Sequence, residues 1–139
     1  MAAPAGFELL EHTADVGIRA WGQAAPEAFA QAALALAELM GICVPGPGRR
    51  RTVRVSAEDP AGLLVAFLDE LLWIHETSLV GFAAVDVIGL SERSLVAEIE
   101  TSPAPADPVG IAVKAATYHQ LAVERRAGGV VEVRVFLDV

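Results

Sequence analysis

Apolar and polar residues alternate along this chain with two different periods, and the changes of period mark its elements. From Val16 to Gly22 the period is two. Val16, Ile18 and Ala20 fall on one face and Gly17, Arg19 and Trp21 on the other, which predicts a half-buried strand. The short apolar run Phe7 to Glu11 predicts a strand before it. After Gly22 the period lengthens. Phe29, Ala32, Ala33, Leu36, Leu39 and Met40 recur at three- and four-residue spacing and give one apolar helix face. Pro26 suits the first helical position, Glu27 complements the helix dipole, and Gly41 supplies a stop.

The run Pro45-Gly46-Pro47-Gly48 predicts a turn-rich loop, and Arg49, Arg50 and Arg51 read as a solvated loop and strand edge. Val53, Val55 and Ala57 alternate with Thr52, Arg54 and Ser56, a strand pattern. Asp59-Pro60 then opens a second helix, with Asp as cap and Pro in the first turn. Its apolar arc runs through Leu63, Leu64, Phe67, Leu68, Leu71, Leu72 and Ile74 and fades near Thr77. Asp69, Glu70, His75 and Glu76 interrupt that arc and are expected to face solvent. Gly81 to Ile88 and Ser94 to Thr101 read as strands, and the proline-bearing segment Ser102 to Gly110 as a loop. Ile111 to Glu124 reads as one long strand. Arg125-Arg126-Ala127-Gly128-Gly129 turns it back on Val130 to Leu137.

Strands dominate after the second helix, without the regular alternation with helices that a parallel sheet requires. The expected fold is α+β: two helices packed on one face of a mixed, largely antiparallel sheet, in a single domain spanning 1–139. A chain of 139 residues, 54% of them apolar, has enough core to fold unaided. Its formal charge of -8 repels a phosphate backbone, so direct nucleic-acid binding lacks its usual electrostatic footprint, and the charge suits a basic protein partner or bound cations instead. The single cysteine, Cys43, makes no internal disulfide and fits a reducing compartment. No apolar run is long enough to span a membrane, and Met1 to Gly6 do not read as a signal peptide. The expectation is a cytoplasmic protein.

The motifs of hydrolytic and phosphoryl-transfer enzymes are missing: there is no HExxH, paired CxxC, Walker loop or GxSxG. Carboxylates and a basic-aromatic run are the candidates instead. His12, Thr13 and Asp15 head the second strand, and Asp138 closes the last one beside the terminal carboxylate of Val139. Oxygen ligands of these kinds suit a hard divalent cation such as calcium, with His12 orienting Asp15. The same residues equally fit a turn aspartate, a hydrogen-bonded histidine and a surface carboxylate. In Lys114-Ala115-Ala116-Thr117-Tyr118-His119, alternation puts Lys114, Ala116 and Tyr118 on one side. This is either a strand with one wet face or a site at which Lys114 and His119 meet a partner.

Taken together, His12-Thr13-Ala14-Asp15-Val16-Gly17, the two helices, Val113 to His119 and the closing Leu137-Asp138-Val139 resemble the archease family, collinearly from Phe7 to Val139. The resemblance implies a compact α+β fold and a non-enzymatic role as cofactor of the RtcB-type RNA ligase, which joins tRNA halves in tRNA splicing. That ligase carries a guanylate covalently on a histidine in a manganese-dependent step. Archeases are expected to promote the guanylylation, to restore multiple turnover and to broaden nucleotide use. RNA would then be met only indirectly, through the ligase. The resemblance further implies a calcium site on Asp15, Asp138 and Val139, with His12 and Lys114 near it and Tyr118 and His119 facing the partner. The loop ahead of Lys114, which in many archeases holds an acidic residue and a histidine, here holds Asp107 and no histidine. A general protein-binding or chaperone-like module is the alternative.

Overall fold

In the computed structural model, residues 4–11 and 16–139 are described, Glu11 by its backbone alone. The elements follow in the order β1 (Gly6–Glu11), β2 (Val16–Gly22), α1 (Ala25–Met40), β3 (Arg49–Ser56), α2 (Pro60–Ser78), β4 (Val80–Leu90), β5 (Ser94–Pro103), β6 (Ala115–Ala116), β7 (Ala122–Arg125) and β8 (Val131–Asp138). The α+β class holds, with every strand pair antiparallel among the described residues.

The local signals for the helices act as their chemistry requires. Asp59 Oδ1 accepts the Gly62 N–H at 2.7 Å, so the first turn of α2 is capped and Pro60 gives up no bond. Glu27 Oε1 reaches back to the Gln23 N–H at 2.6 Å at the start of α1. Gly41 ends α1 in the left-handed region, φ 71°, and donates its N–H to the carbonyls of Ala37 and Glu38.

The strands form two sheets. One runs β1-β2-β8-β6, with β7 also paired to β8; the other runs β3-β5-β4. The reason lies in α1. Its buried positions, Ala28, Phe29, Ala32, Ala33, Ala35, Leu36, Ala37, Leu39 and Met40, sweep about half the helix circumference at 100° per residue. A helix apolar over so wide an arc needs cover on two sides. It lies against β2 in one sheet and β4 in the other. Alanine on this helix lets the backbones approach closely. α2 lies mainly against β3 and β6. The core between these layers is built on Phe29, Leu36, Leu63, Leu64, Phe67, Leu68, Leu71 and Ile99, all 2% exposed or less.

Two expectations about the strands need correction. Arg49, Arg50 and Arg51 are not partly loop: all three lie within β3, paired with Thr101, Glu100 and Ile99 of β5. Ile111 to Glu124 is not one strand. Residues 111–114 are irregular, β6 is two residues long, and a turn through Gln120 at φ 50° separates it from β7. The cause is a set of competing bonds. The Ile111 N–H donates to the Leu39 carbonyl at 2.9 Å, which draws the chain onto the end of α1. Gly110 packs so closely there that a Cβ would sit 2.3 Å from the Met40 carbonyl carbon. The Arg125–Val130 turn holds as expected, with β7 and β8 in register from Ala122↔Arg134 to Arg125↔Val131.

Candidate functional site

The site grows from the free end of β8. β2 pairs with β8 so that Val16, which follows Asp15 in the sequence, faces Leu137, which precedes Asp138. On the other edge of β8, Ala115 faces Asp138 and Ala116 faces Leu137. The Lys114 N–H donates to the Asp138 carbonyl at 2.8 Å. Thr117 donates twice to the Phe136 carbonyl, from its N–H at 2.9 Å and its Oγ1 at 3.0 Å. The lysine-bearing run is therefore stitched along the last three residues of β8.

Phe136 links the two motifs. Its ring lies over Gly17, where a Cβ would come within 2.8 Å of the ring edge, so a larger residue at 17 would displace it. The His119 ring meets Phe136 edge-on, with centroids 5.7 Å apart and planes at 67°. The His119 N–H also rests on Thr117 Oγ1 at 3.3 Å. The start of β2, the end of β8 and the Lys114–His119 run thus form one packed unit.

Of the sequence-predicted site residues, Lys114, Asp138, Val139, Tyr118 and His119 are exposed and gather around this end of the sheet. Tyr118 is 70% exposed, which leaves its ring open to a partner. His12 and Asp15, together with Thr13, lie outside the described residues. Among the described residues no group of three or more His, Cys, Asp or Glu side chains is placed to hold a metal ion. The described oxygen donors are the exposed Asp138 carboxylate and the main-chain oxygens of Val139. The Asp138 carbonyl already serves the Lys114 N–H. Their chemistry fits a hard cation, which takes carboxylate and carbonyl oxygens and completes its shell with further ligands and water.

Asp69 needs correction. It does not face solvent: it is half-buried on α2, and Oδ1 accepts the Ala116 N–H at 2.8 Å. Burial pushes its carboxyl above the ordinary value, and the Ala116 bond opposes that only in part. His75 also turns inward, with Nδ1 2.8 Å from the Val80 carbonyl, and Glu70 is half-buried; Glu76 is exposed as expected. Asp69 is the residue that sequence reasoning missed. It ties α2 to the middle of the Lys114–His119 run and so helps to set where Lys114 and Tyr118 stand. The available signal was its place between Leu68 and Leu71 on a helix buried over most of its surface.

A small α+β domain whose last strand ends in carboxylates beside an exposed lysine is the class that fold and site define. The comparisons give it a family. Residues 7–139 match the model of the Archease protein family (MTH1598/TM1083). Protein archease of Methanothermobacter thermautotrophicus is 33% identical over 96% of this chain and 99% of its own length. Protein archease of Thermococcus kodakarensis is 35% identical over 88% and 91%. Among solved structures, the solution structure of Methanobacterium thermoautotrophicum protein 1598 superposes with a TM-score of 0.77 at 31% identity, covering 96% of this chain and 99% of that one. A Thermotoga maritima protein described as an archease and possible chaperone superposes at 0.66 and 21% identity over 100% and 98%, a likeness of fold. This chain belongs to the archease family.

Proposed function

We propose that this chain is a non-catalytic activator of an RtcB-type RNA ligase that acts in the cytoplasm, promotes guanylylation of the ligase and restores its turnover in tRNA splicing. Broadened use of nucleotides other than GTP belongs to the same reading. The observation that carries it is family membership along nearly the whole chain, from residue 7 to residue 139. The exposed edge holding Lys114 and Asp138 supports it, because a protein that acts through a partner must present its working residues outward. The packing behind that edge also supports it, since Phe136 set over Gly17 ties the end of β8, next to Lys114 and Asp138, to the start of β2.

In this reading a calcium ion is held by Asp15, Asp138 and Val139. The ion would fix the carboxylates and present positive charge near the nucleotide phosphates. His12 orients Asp15, and Lys114 either balances a carboxylate or reaches into the ligase. Tyr118 and His119 flank the docking surface.

The test is guanylylation itself. Ligase of the same organism is mixed with labelled GTP and manganese, with and without this protein, and the covalent guanylate on the ligase is measured. The expected result is faster and fuller labelling with the protein, none on the protein itself, and loss of the effect for Asp15→Ala and Asp138→Ala variants that melt normally. Labelling unchanged by the protein would remove the activator reading. The general protein-binding or chaperone-like module would then stand in its place, read as protection of unrelated unfolding proteins from aggregation.

A further inference from the structure

The chain is acidic overall, yet its positive charge is not spread evenly. Of ten Lys and Arg residues, four stand on the eight residues of β3: Arg49, Arg50, Arg51 and Arg54. β3 is an edge strand, paired with β5 on one side and with no strand on the other among the described residues. All four arginines are exposed. Within 4 Å of the four, among the described residues, the carboxylate present is Glu98, 3.9 Å from Arg50. Arg49, Arg51 and Arg54 have none.

Arg49, Arg50 and Arg51 line a hollow of about 500 Å³, together with Ser78, Val80 and Thr101. Arg51 Nη1 is 3.5 Å from Ser78 Oγ, so guanidinium and hydroxyl converge on one rim. Residues two apart on a strand share a face at a spacing of about 7 Å. Arg49 and Arg51 therefore project to one side of the edge, and Arg50 and Arg54 to the other.

We propose that this arginine edge grips the phosphate backbone of single-stranded RNA directly. The net charge of -8 does not forbid it, because acidic surface beyond a screening length of about 8 Å at physiological salt is largely silent. The cross-strand carboxylates inside that length are Glu98 and Glu100, opposite Thr52 and Arg50, and Glu100 already accepts the Gly48 N–H. An acidic protein strand is the competing occupant, and two features disfavour it. The exposed side chains of β3 are Arg49, Arg50, Arg51, Thr52, Arg54 and Ser56, with Val53 buried, so a protein strand laid there finds no exposed apolar anchor on it. Arginine on an edge strand also blunts strand addition. A phosphodiester backbone needs no apolar anchor: it takes guanidinium donors, stays hydrated and gains by releasing counterions. The inference does not depend on the ligase reading, since the contact is made by this chain alone.

The experiment is fluorescence anisotropy of a labelled, unstructured RNA 12-mer with the full chain and no ligase, between about 50 and 200 mM salt. Three phosphate contacts give a slope of log affinity against log salt of about -2 for a single strand. In the Arg49→Ala/Arg50→Ala/Arg51→Ala variant, which empties the hollow of guanidinium groups, affinity at the lowest salt falls at least about tenfold and the slope approaches zero. The matching triple lysine variant keeps most of both. If the triple alanine variant fails to fold, Arg49→Ala and Arg51→Ala are tested singly, and each reduces the slope by about 0.7. Absence of RNA binding, or binding that the alanine variants leave unchanged, overturns the proposal. So does displacement of the RNA by a polyglutamate peptide of equal charge at equal concentration, which would make the edge a site for acidic protein.

Discussion

Replacing Asp69 separates what its charge costs from what its hydrogen bond contributes. Asp69→Ala removes the acceptor of the Ala116 N–H, and Ala116 is only 8% exposed, so that donor is left buried without a partner. An orphaned buried donor costs about 1–3 kcal/mol. For a domain of this size, each kcal/mol lowers the melting temperature by about 3–5 °C, so a fall of roughly 3–15 °C is expected. Asp69→Asn behaves differently. Its amide oxygen still accepts the Ala116 N–H, and the charge that burial disfavours is gone. Because burial raises the folded-state value, folding disfavours the charged form of Asp69 relative to the unfolded chain. That cost is present at neutral pH and vanishes as pH falls through the raised value to below the ordinary aspartate range. Asp69→Asn should therefore match or exceed the parent at pH 7 and lose its advantage in acid. The assay is thermal melting of the three proteins across pH, with amide exchange at Ala116 as the local readout. Exchange at Ala116 should speed up in Asp69→Ala and stay slow in Asp69→Asn. Unchanged exchange in the alanine variant, or an asparagine variant less stable than the alanine one, would refute the assignment.

Three other outcomes follow from the same structure. Glu132 sits nearly buried between Arg19 and Arg126 on the outer face of the first sheet, with Glu8 and Glu124 completing the ladder. Burial alone would raise its carboxyl, but hydrogen bonds from Arg126 and Arg19 outweigh that and hold it below the ordinary glutamate value. A lowered folded value gives stability that is present above about pH 4.3 and is lost as pH falls through the folded value. Glu132→Gln should cost about 1–3 kcal/mol at pH 7 and much less in strong acid, read by denaturant titration at both pH values. Gly110→Ala forces a methyl into the Met40 backbone, where it would sit 2.3 Å from the carbonyl carbon. A loss of about 1–3 kcal/mol in a melt, with faster exchange at the Ile111 amide, is expected. Under the proposed calcium reading, titration by calorimetry should show binding weakened at least about tenfold in Asp138→Ala with the melt in chelator unchanged, since the exposed carboxylate makes no contribution to the core.

The sequence carried the elements whose signals are local. Pro26 and Gly41 bracket α1, Asp59-Pro60 opens α2, and alternation finds β2 and β3. It did not carry what depends on the second layer. Ala28 to Met40 read as one apolar face, and the division of strands into two sheets appears only when α1 is seen to be covered on both sides. Ile111 to Glu124 carries a strand-like composition throughout. Its interruption comes from partners far away in sequence, Leu39 for the Ile111 N–H and Asp69 for the Ala116 N–H. No periodicity along 111–124 encodes them. Asp69 was misread for the same reason. A charge on a helix is ordinarily solvated, and the orphaned amide that recruits it lies 47 positions away. At the site, alternation alone left the Lys114–His119 run undecided between a wet strand face and a partner surface. The resemblance brought it together with Asp138. The bond from Lys114 to the Asp138 carbonyl gives that pairing a physical basis.

The role proposed for this protein is to restore a partner ligase. The most direct measurement counts RNA joining events per ligase molecule, with cleaved RNA, GTP and manganese in excess and this protein present below the ligase concentration. Many turnovers are expected with the protein, about one without it, and no joining by the protein alone. Equal turnover with and without it, at concentrations where the two proteins demonstrably meet, would rule out the activator role.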